Sequence, residues 1–245
     1  MVKRDRAPRL DNIASRTYVR QHHADTSRVA VNPIAASLSR RRIRFVCHMT
    51  SCNHLPEIFR LGGLLSFSQR QQSGVDEDED PHYWGSADKK DALQDYVVCA
   101  FMPPWWMCRR RTEELAMIIL DAESTCCKDG ACFVPTNSAR NQYSSAQIVT
   151  RTGVVAFDEC FQNPTTYQAG ESEIFIPDSV PLRDFRVIVF CDAQARDHWI
   201  PLINEAYDQA PDPKPELPAQ PITVAIRGSA GFYFPGDWAP TQRIR

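Results

Sequence analysis

The chain has 245 residues, of which 43% are hydrophobic and 24% are charged, and its formal net charge is −2 at pH 7. A chain of this length and hydrophobic content is long enough and apolar enough to bury the core of one catalytic-size domain. No stretch is long and apolar enough to span a bilayer, and no apolar segment follows the charged N-terminus as in a secretory signal. We therefore expect a cytoplasmic protein with no membrane contact.

The small net charge conceals a basic N-terminal segment. Residues 1–44 contain eleven Lys and Arg side chains and only three Asp. The cluster has two interpretations, a solvated tail or an arm that displaces counterions from nucleic acid phosphates. We divide the chain into a basic N-terminal arm (1–42), a folded domain (43–207), and a Pro-rich linker with a C-terminal tail (208–245).

The cysteine pattern predicts neither a disulfide framework nor a metal site. The nine cysteines are an odd number with irregular spacings. Cys126, Cys127 and Cys132 cluster, but no His or Cys stands at the second-pair distance of a zinc site.

The first predicted elements are a strand and a helix. Residues 43–47 form an apolar run that predicts a strand ending in His48 and Thr50. An apolar helical face begins at Leu55, and the glycine pair at 62–63 ends that helix.

The remaining elements are mostly short strands. They are, in chain order, a long polar loop (66–94), a buried strand (96–101), a strand (115–120), a short helix (138–148), a strand (154–157), a strand (173–176), a buried strand (185–191), a helix (198–207) and an extended proline-rich segment (208–221). Many short strands with few helices indicate an α+β fold around two small sheets.

Glu173 stands at the start of an apolar strand. A carboxylate aimed from a strand into a cleft can accept a hydrogen bond from a ribose hydroxyl. It can also stabilise positive charge at an anomeric carbon while a glycosidic bond breaks. The alternative is an edge-strand Glu that faces solvent. Glu171, two residues earlier, is a competing carboxylate.

Two further groups have both a functional and a structural interpretation. His48 and Thr50, at positions i and i+2 of a strand end, share one face and can hydrogen-bond to a ribose or a carboxamide. The alternative is that His48 is a structural histidine. Aromatic side chains near the central strand form either a stacking platform or part of the core, and they are Tyr96, Phe101, Trp105 and Trp106.

Three segments in a fixed order resemble a known family. They are His48-Met49-Thr50 with Asn53-His54-Leu55-Pro56-Glu57-Ile58-Phe59 and Gly63-Leu64-Leu65; Asp95-Tyr96-Val97 with Phe101, Pro103 and Met107; and Ser172-Glu173-Ile174-Phe175-Ile176 with Val180-Pro181-Leu182. In this order, over roughly residues 43–191, they resemble the DarT family of DNA-targeting ADP-ribosyltransferases.

The resemblance implies a fold and a set of site residues. The fold is α+β, with the split mixed β-sheet core of ADP-ribosyltransferases and peripheral helices, and 43–207 is then the catalytic domain. NAD is the implied cofactor, used as a substrate, and Glu173 is the implied catalytic residue. The implied NAD-binding residues are His48, Thr50, Gly63, Leu64, Tyr96 and Phe101. The expected substrate-binding residues are Arg140, Lys89, Lys90, Trp105, Trp106 and Glu171.

The implied activity is ADP-ribosylation of a base in single-stranded DNA by a monomeric toxin, with an antitoxin of the macrodomain hydrolase type as partner. Two departures from the family pattern leave thymine and guanine open as the base. Lys89 and Lys90 stand where the family is often Arg-rich, and residues 136–140 lack the family's Thr-Asp-x-x-Ala and its occasional His. One alternative is an RNA or protein acceptor, with Glu171 and Glu173 as a pair. The other is a non-catalytic nucleic-acid-binding module.

Overall fold

A computed structural model describes residues 32–74, 92–104, 114–140, 142–168, 170–220, 222–228 and 231–232. The strands within these ranges are β1 (Phe45–Ser51), β2 (Gly63–Leu65), β3 (Tyr96–Ala100), β4 (Leu115–Asp121), β5 (Cys132–Val134), β6 (Glu173–Pro177), β7 (Ser179–Pro181), β8 (Phe185–Phe190), β9 (Thr223–Gly228) and β10 (Gly231–Phe232). The helices are α1 (Pro33–Arg41), α2 (Leu55–Leu61), α3 (Phe67–Gln72), α4 (Ala122–Cys126), α5 (Ser145–Val149), α6 (Gly153–Glu159), α7 (Pro164–Gln168) and α8 (Ala193–Asp208).

Eight strands form one sheet in the order β10-β9-β8-β4-β1-β3-β6-β5, and β2 and β7 form a separate pair. Neighbouring strands are antiparallel except β8 and β9, which are parallel. The predicted α+β class, with a mixed sheet and peripheral helices, is therefore confirmed. The separate β2–β7 pair joins the segment that follows α2 to the segment that follows β6.

The large sheet opens in its middle, between β1 and β3. These strands share one pair, Cys47 with Ala100. By contrast, β1 pairs with β4 along its whole length, and β3 does so with β6. This shared pair lies at the last residue of β3. Beyond it, residues 48–51 of β1 and residues 96–99 of β3 do not pair with each other, and the two strands diverge. This is the split that the resemblance implies.

Side chains alternate between the two faces of the sheet, as the pleat requires. The larger cluster packs under α1, α2, α4, α6 and α8, through residues such as Leu38, Phe59, Ile118 and Phe157. The opposite face carries two smaller clusters, one around Met117 and Ile119 and the other around Phe175 and Ile148 of α5. The strand positions that matter for function are therefore set by burial on both faces.

Two segments differ in secondary structure from the sequence prediction. The strand expected at 154–157 is helix α6, because Ala156, Phe157 and Cys160 are buried at helical spacing while Val155 is 72% exposed. An apolar run this short fits either element until its packing is known. The loop expected at 66–94 contains α3, which Ser66 caps by accepting a hydrogen bond from the Gln69 N–H at 3.4 Å.

The two ends of the predicted domain also extend further than expected. Residues 33–41, assigned from sequence to the basic arm, form α1, which packs on α6. Residues 223–228, assigned to the tail, form β9 and lengthen the sheet. The proline-rich segment that precedes β9 packs on the core. Pro215 lies beside Gly62, and the Pro215 carbonyl accepts a hydrogen bond from the Tyr207 hydroxyl at 3.0 Å.

Candidate active site

The three sequence motifs lie on three adjacent strands. His48 is on β1, Tyr96 begins β3 and Glu173 begins β6, and the strand order places β3 between the other two. Register gives a row of neighbours across these strands, Cys47 beside Ala100 and Ala100 beside Glu173. With strands about 4.8 Å apart, the backbones of Cys47 and Glu173 are about 10 Å apart in this row.

Glu173 is held inside the sheet, not at an edge. It pairs with Ala100 of β3 on one side and with Val134 of β5 on the other. Its Oε2 accepts a hydrogen bond from the main-chain N–H of Ser138 at 2.8 Å, and the residue is half-buried. The alternative of a solvent-facing edge-strand Glu is therefore excluded.

The chain that leads into Glu173 is closely packed. Ser172 is buried, and its Oγ lies 3.0 Å from the Cys160 carbonyl and 3.3 Å from the Pro135 carbonyl. Gly170 has φ +71°, and a Cβ there would stand 2.7 Å from the Met102 carbonyl oxygen. Only glycine fits this turn without displacing the backbone that follows β3.

His48 lies in the gap between β1 and β3. Its Nδ1 is 2.8 Å from the Val98 carbonyl oxygen, which can only accept, so Nδ1 carries the proton. The pKa of His48 is lowered from 6.5 to about 4, chiefly by burial, with the nearby charges of Arg70 and His54 acting in the same direction and the Val98 hydrogen bond acting against them. The ring is therefore neutral at pH 7, with Nε2 as an acceptor.

Thr50 shares the face of His48, as the i, i+2 spacing predicts. Their partners on β4 are Ala116 and Ile118, both in the larger core cluster. The Thr50 hydroxyl is half-exposed and lies 3.4 Å from Nδ1 of His54. The pair therefore presents small polar groups from one strand, beside the open side of β1.

Glu173 lies on the other face of the sheet from His48. Alternation along β6 places it on the side of Phe175, which belongs to one of the smaller clusters. His48 is two residues from Val46 and shares its face of the sheet, and Val46 belongs to the larger core cluster. The His48 ring nevertheless lies between the strands, because its Nδ1 reaches a main-chain carbonyl of β3. The two predicted groups therefore lie on opposite faces of the sheet, and Glu173 stands in the row where β1 and β3 are still paired.

Tyr96 and Phe101, predicted together as NAD contacts, lie on opposite faces of the sheet. Tyr96 is half-buried and packs edge-on against Phe175, with ring centroids 6.3 Å apart. Phe101 is 0% exposed and lies among other rings, 4.8 Å from that of Phe161 and 5.5 Å from that of Phe157. The prediction for Phe101 is corrected to a core role, because its ring has no exposed surface.

Gly63 and Leu64 also serve packing. Leu64 is 4% exposed, lies in the larger core cluster and pairs with Val180. A Cβ on Gly63 would stand 2.2 Å from the Val180 carbonyl oxygen. These residues fix the β2–β7 pair, and the predicted NAD contact of the Leu64 side chain is corrected to a core contact.

The residues expected to bind the nucleic acid are only partly placed. Glu171 is half-buried and precedes β6, and its N–H donates to the Thr166 carbonyl at 3.0 Å, so it belongs to the turn after α7. Arg140 ends a 3-10 turn, Ser138–Arg140, but its side chain is outside the described part. Lys89, Lys90, Trp105 and Trp106 lie outside the described residues as well.

Sequence reasoning missed three residues that the fold brings to the site. Arg70 of α3 is close enough to His48 to lower its pKa, and its guanidinium lies 5.9 Å from the Phe67 ring centroid. Ser138 donates to Glu173. Thr136 is 4% exposed, and its Oγ1 has no hydrogen-bond partner among the described residues. Arg70 lies five residues beyond the Gly63-Leu64-Leu65 motif, and Thr136 and Ser138 lie in the segment compared with the family's Thr-Asp-x-x-Ala, but neither position in sequence indicates a contact with His48 or Glu173.

Within the described ranges, no group of three His, Cys, Asp or Glu side chains could hold a metal ion. No helix in the same ranges is long and apolar enough to cross a membrane.

No family model and no curated protein matches this chain. Solved structures similar to this chain include DarT and DarTG proteins. Thermus sp. 2.9 DarT in complex with NAD+ is 13% identical, with a TM-score of 0.46 over 76% of this chain and 96% of that one. The same protein in complex with ADP-ribosylated ssDNA is 13% identical, with a TM-score of 0.48 over 76% and 95% of the two chains. Thermosipho africanus DarTG in complex with ADP-ribose is 15% identical, with a TM-score of 0.47 over 71% of this chain and 50% of that one.

Proposed function

We propose that this protein is an NAD-dependent ADP-ribosyltransferase that modifies a base in single-stranded DNA. One observation carries the proposal. The three segments that resemble the DarT family are far apart in sequence, yet their strands β1, β3 and β6 are neighbours in the sheet, and β1 and β3 border the split. Segments that resembled the family by chance would have no reason to lie on neighbouring strands.

The residues at the split fit the chemistry of NAD. Residues 48–51 of β1 have β4 on one side and the gap on the other, so their main-chain groups form a strand edge inside the sheet. A carboxamide has a carbonyl acceptor and N–H donors, as a neighbouring strand does, and can pair with that edge. The neutral His48 ring adds an Nε2 acceptor suited to a ribose hydroxyl. Arg70, near His48, supplies positive charge for a phosphate.

Glu173 has the chemistry that the transfer requires. The bond that breaks joins C1′ of the nicotinamide ribose to the nicotinamide nitrogen, and its electron pair leaves with nicotinamide. The bond that forms joins C1′ to a nitrogen of the base, whose proton passes to the Glu173 carboxylate and then to water. While the first bond breaks, the negative carboxylate also stabilises the positive charge on the ribose.

The acceptor in this proposal rests on the resemblance and on charge. A base inside a duplex cannot reach an enclosed site, so a single strand is the simplest substrate. Lys89, Lys90 and Arg140, with the arginines of residues 1–44, would contact phosphates, while Trp105 and Trp106 would stack bases. We propose thymine or guanine as the base. NAD+ and ADP-ribosylated ssDNA, named for the Thermus structures, are the substrate and product types proposed here.

A protein with this activity damages the DNA of its own cell. We therefore also propose a toxin role in the cytoplasm, with a macrodomain-type antitoxin as partner, and a monomeric enzyme.

The test is transfer of label from NAD to separate pools of single-stranded DNA, duplex DNA, RNA and protein. Wild type should label single-stranded DNA, and digestion followed by mass spectrometry identifies the modified base. Glu173→Gln should lose about 100-fold or more of the activity, since it removes the carboxylate charge and keeps the shape. Glu205→Gln, an exposed position on α8, is the matched control and should retain it.

The same assay separates the alternatives. Label on RNA or protein would keep the ADP-ribosyltransferase and change the acceptor, and loss of that label in Glu171→Gln would support an acidic pair. If no pool is labelled and NAD leaves the melting temperature unchanged, the chain is a non-catalytic binding module and the proposal is wrong.

A further inference from the structure

The turn that follows β5 holds the Glu173 carboxylate through its main chain. Val134, the last residue of β5, pairs with Glu173, and four residues later the Ser138 N–H donates to Oε2 of the same Glu at 2.8 Å. Residues 134–138 therefore contact Glu173 twice. Val134 pairs with the Glu173 backbone, and the Ser138 N–H binds the Glu173 side chain.

Side chains on both sides fix this turn. The buried Ser172 hydroxyl lies 3.3 Å from the Pro135 carbonyl oxygen, which ties the start of the turn to the residue before Glu173. Oδ1 of Asn137 accepts a hydrogen bond from the Ala139 N–H at 2.8 Å, which shapes its end. The Ser138 N–H is therefore presented by a constrained backbone, and does not depend on a rotamer.

A main-chain N–H has two effects on a carboxylate. It stabilises the ionised form, which lowers the pKa of the acid, and it fixes which oxygen faces the reacting atoms. In a half-buried position, where desolvation favours the neutral acid, such a bond keeps the charge that the transfer needs.

We propose that Ser138 is a positioning residue, whose main-chain N–H holds Glu173 ionised and oriented for catalysis. This inference rests on the proposed function, and it adds that the 135–138 turn, and not only the strand, determines the reactivity of the carboxylate. The Ser138 side chain is not part of it.

The test removes the N–H and leaves the rest of the turn. Ser138→Pro lacks the donor, and an ester in place of the amide between Asn137 and Ser138 lacks it without changing any side chain. Ser138→Ala keeps the donor and loses only the hydroxyl. For each protein the kcat, the KM for NAD and the pH profile of kcat/KM are measured, with a thermal melt to check folding.

The ester variant should lose about 10-fold to 100-fold in kcat/KM, mostly in kcat, the range expected for a hydrogen bond to a charged group. Losing the bond destabilises the ionised carboxylate, so its pKa rises. The acid limb of the profile should therefore move up by about one pH unit. In Ser138→Ala the acid limb should stay at the wild-type pH, whatever the lost hydroxyl does to the rate. Ser138→Pro should follow the ester if it folds.

An ester variant with the wild-type rate and acid limb would overturn this inference and leave the proposed function standing. A shifted limb in Ser138→Ala would also overturn it, because the hydroxyl would then be the group that acts. A wild-type protein that transfers no ADP-ribose to any acceptor would overturn the proposed function, and this inference with it.

Discussion

At the scale of single residues, hydrogen bonding and burial define the surroundings of each candidate site residue. Nδ1 of His48 donates to the Val98 carbonyl, and burial lowers the pKa of the ring to about 4, so the ring is neutral at pH 7 with Nε2 as an acceptor. Glu173 could have been an exposed surface acid, but it pairs on both sides. Phe101 could have been a stacking ring, but it is buried among other rings.

The lowered pKa of His48 predicts a pH-dependent stability. Its pKa falls from 6.5 to about 4 in the fold, so the folded state binds fewer protons than the unfolded chain between these values. The contribution is complete above about pH 6.5 and is lost as the pH falls toward 4, by an amount on the order of 3 kcal/mol. Urea unfolding of wild type and His48→Gln from pH 7.5 to 4 measures it.

The comparison with His48→Gln isolates this residue from the carboxylates that also titrate in acid. The difference in the free energy of unfolding between the two proteins should change across this window. A difference that is constant with pH would show that the ring is not held neutral.

At the scale of elements, close backbone contacts hold the site strands in place. Gly63 begins β2 with φ +154°, directly against the carbonyl oxygen of Val180 in β7. This close contact fixes the position of the β2–β7 pair. The pair links Gly63–Leu65, at the end of the first motif, to Ser179–Pro181, at the end of the third. Lys128 supports the same corner, since its Nζ donates to the Pro177 carbonyl at 2.6 Å and to the Ser179 carbonyl at 3.0 Å.

Gly63→Ala should therefore destabilise the fold strongly. The new Cβ would stand 2.2 Å from a main-chain oxygen, so the two strands would have to separate. We expect a loss of at least about 3 kcal/mol. Gly74→Ala is the matched control, because Gly74 has φ +71° but no atom within 4 Å of its ideal Cβ. It should cost only about 1 kcal/mol. Guanidinium unfolding of the two variants measures both losses, and equal losses would contradict the close contact.

At the scale of the whole molecule, the cysteines are part of the packing. Eight of them are free thiols in the described chain, and six of the eight are buried. Burial raises the pKa of the thiols of Cys47, Cys99, Cys126 and Cys160, so these groups are protonated and unreactive at neutral pH.

Alkylation of the native protein should therefore be selective. Among the eight described thiols, the half-buried Cys127 and Cys191 should react first with iodoacetamide at pH 8, and the six buried ones only after unfolding. Peptide mass mapping before and after denaturant gives the order. Rapid native labelling of Cys47 or Cys160 would mean that the sheet opens readily in solution.

Prediction from sequence succeeded where local pattern was enough. The apolar runs of β1, β4 and β8 gave strands near the expected bounds, and the glycine after Leu61 ends α2 in the left-handed conformation. It failed at α6, where four apolar residues fit either a strand or a helix. It also missed the contacts of Arg70 and Ser138, because no local pattern shows which distant side chain a residue will neighbour.

The sequence by itself determined the α+β class, the order of the three motifs and the identity of the candidate carboxylate. These depend on propensity, on hydrophobic period and on residue type, all of which are local. Only the tertiary structure decided that β1, β3 and β6 are adjacent, that the sheet opens beside His48, and that the Ser138 N–H meets Glu173. Those features depend on pairing and burial between residues far apart in the chain, where the energy of one contact depends on every other element being in place.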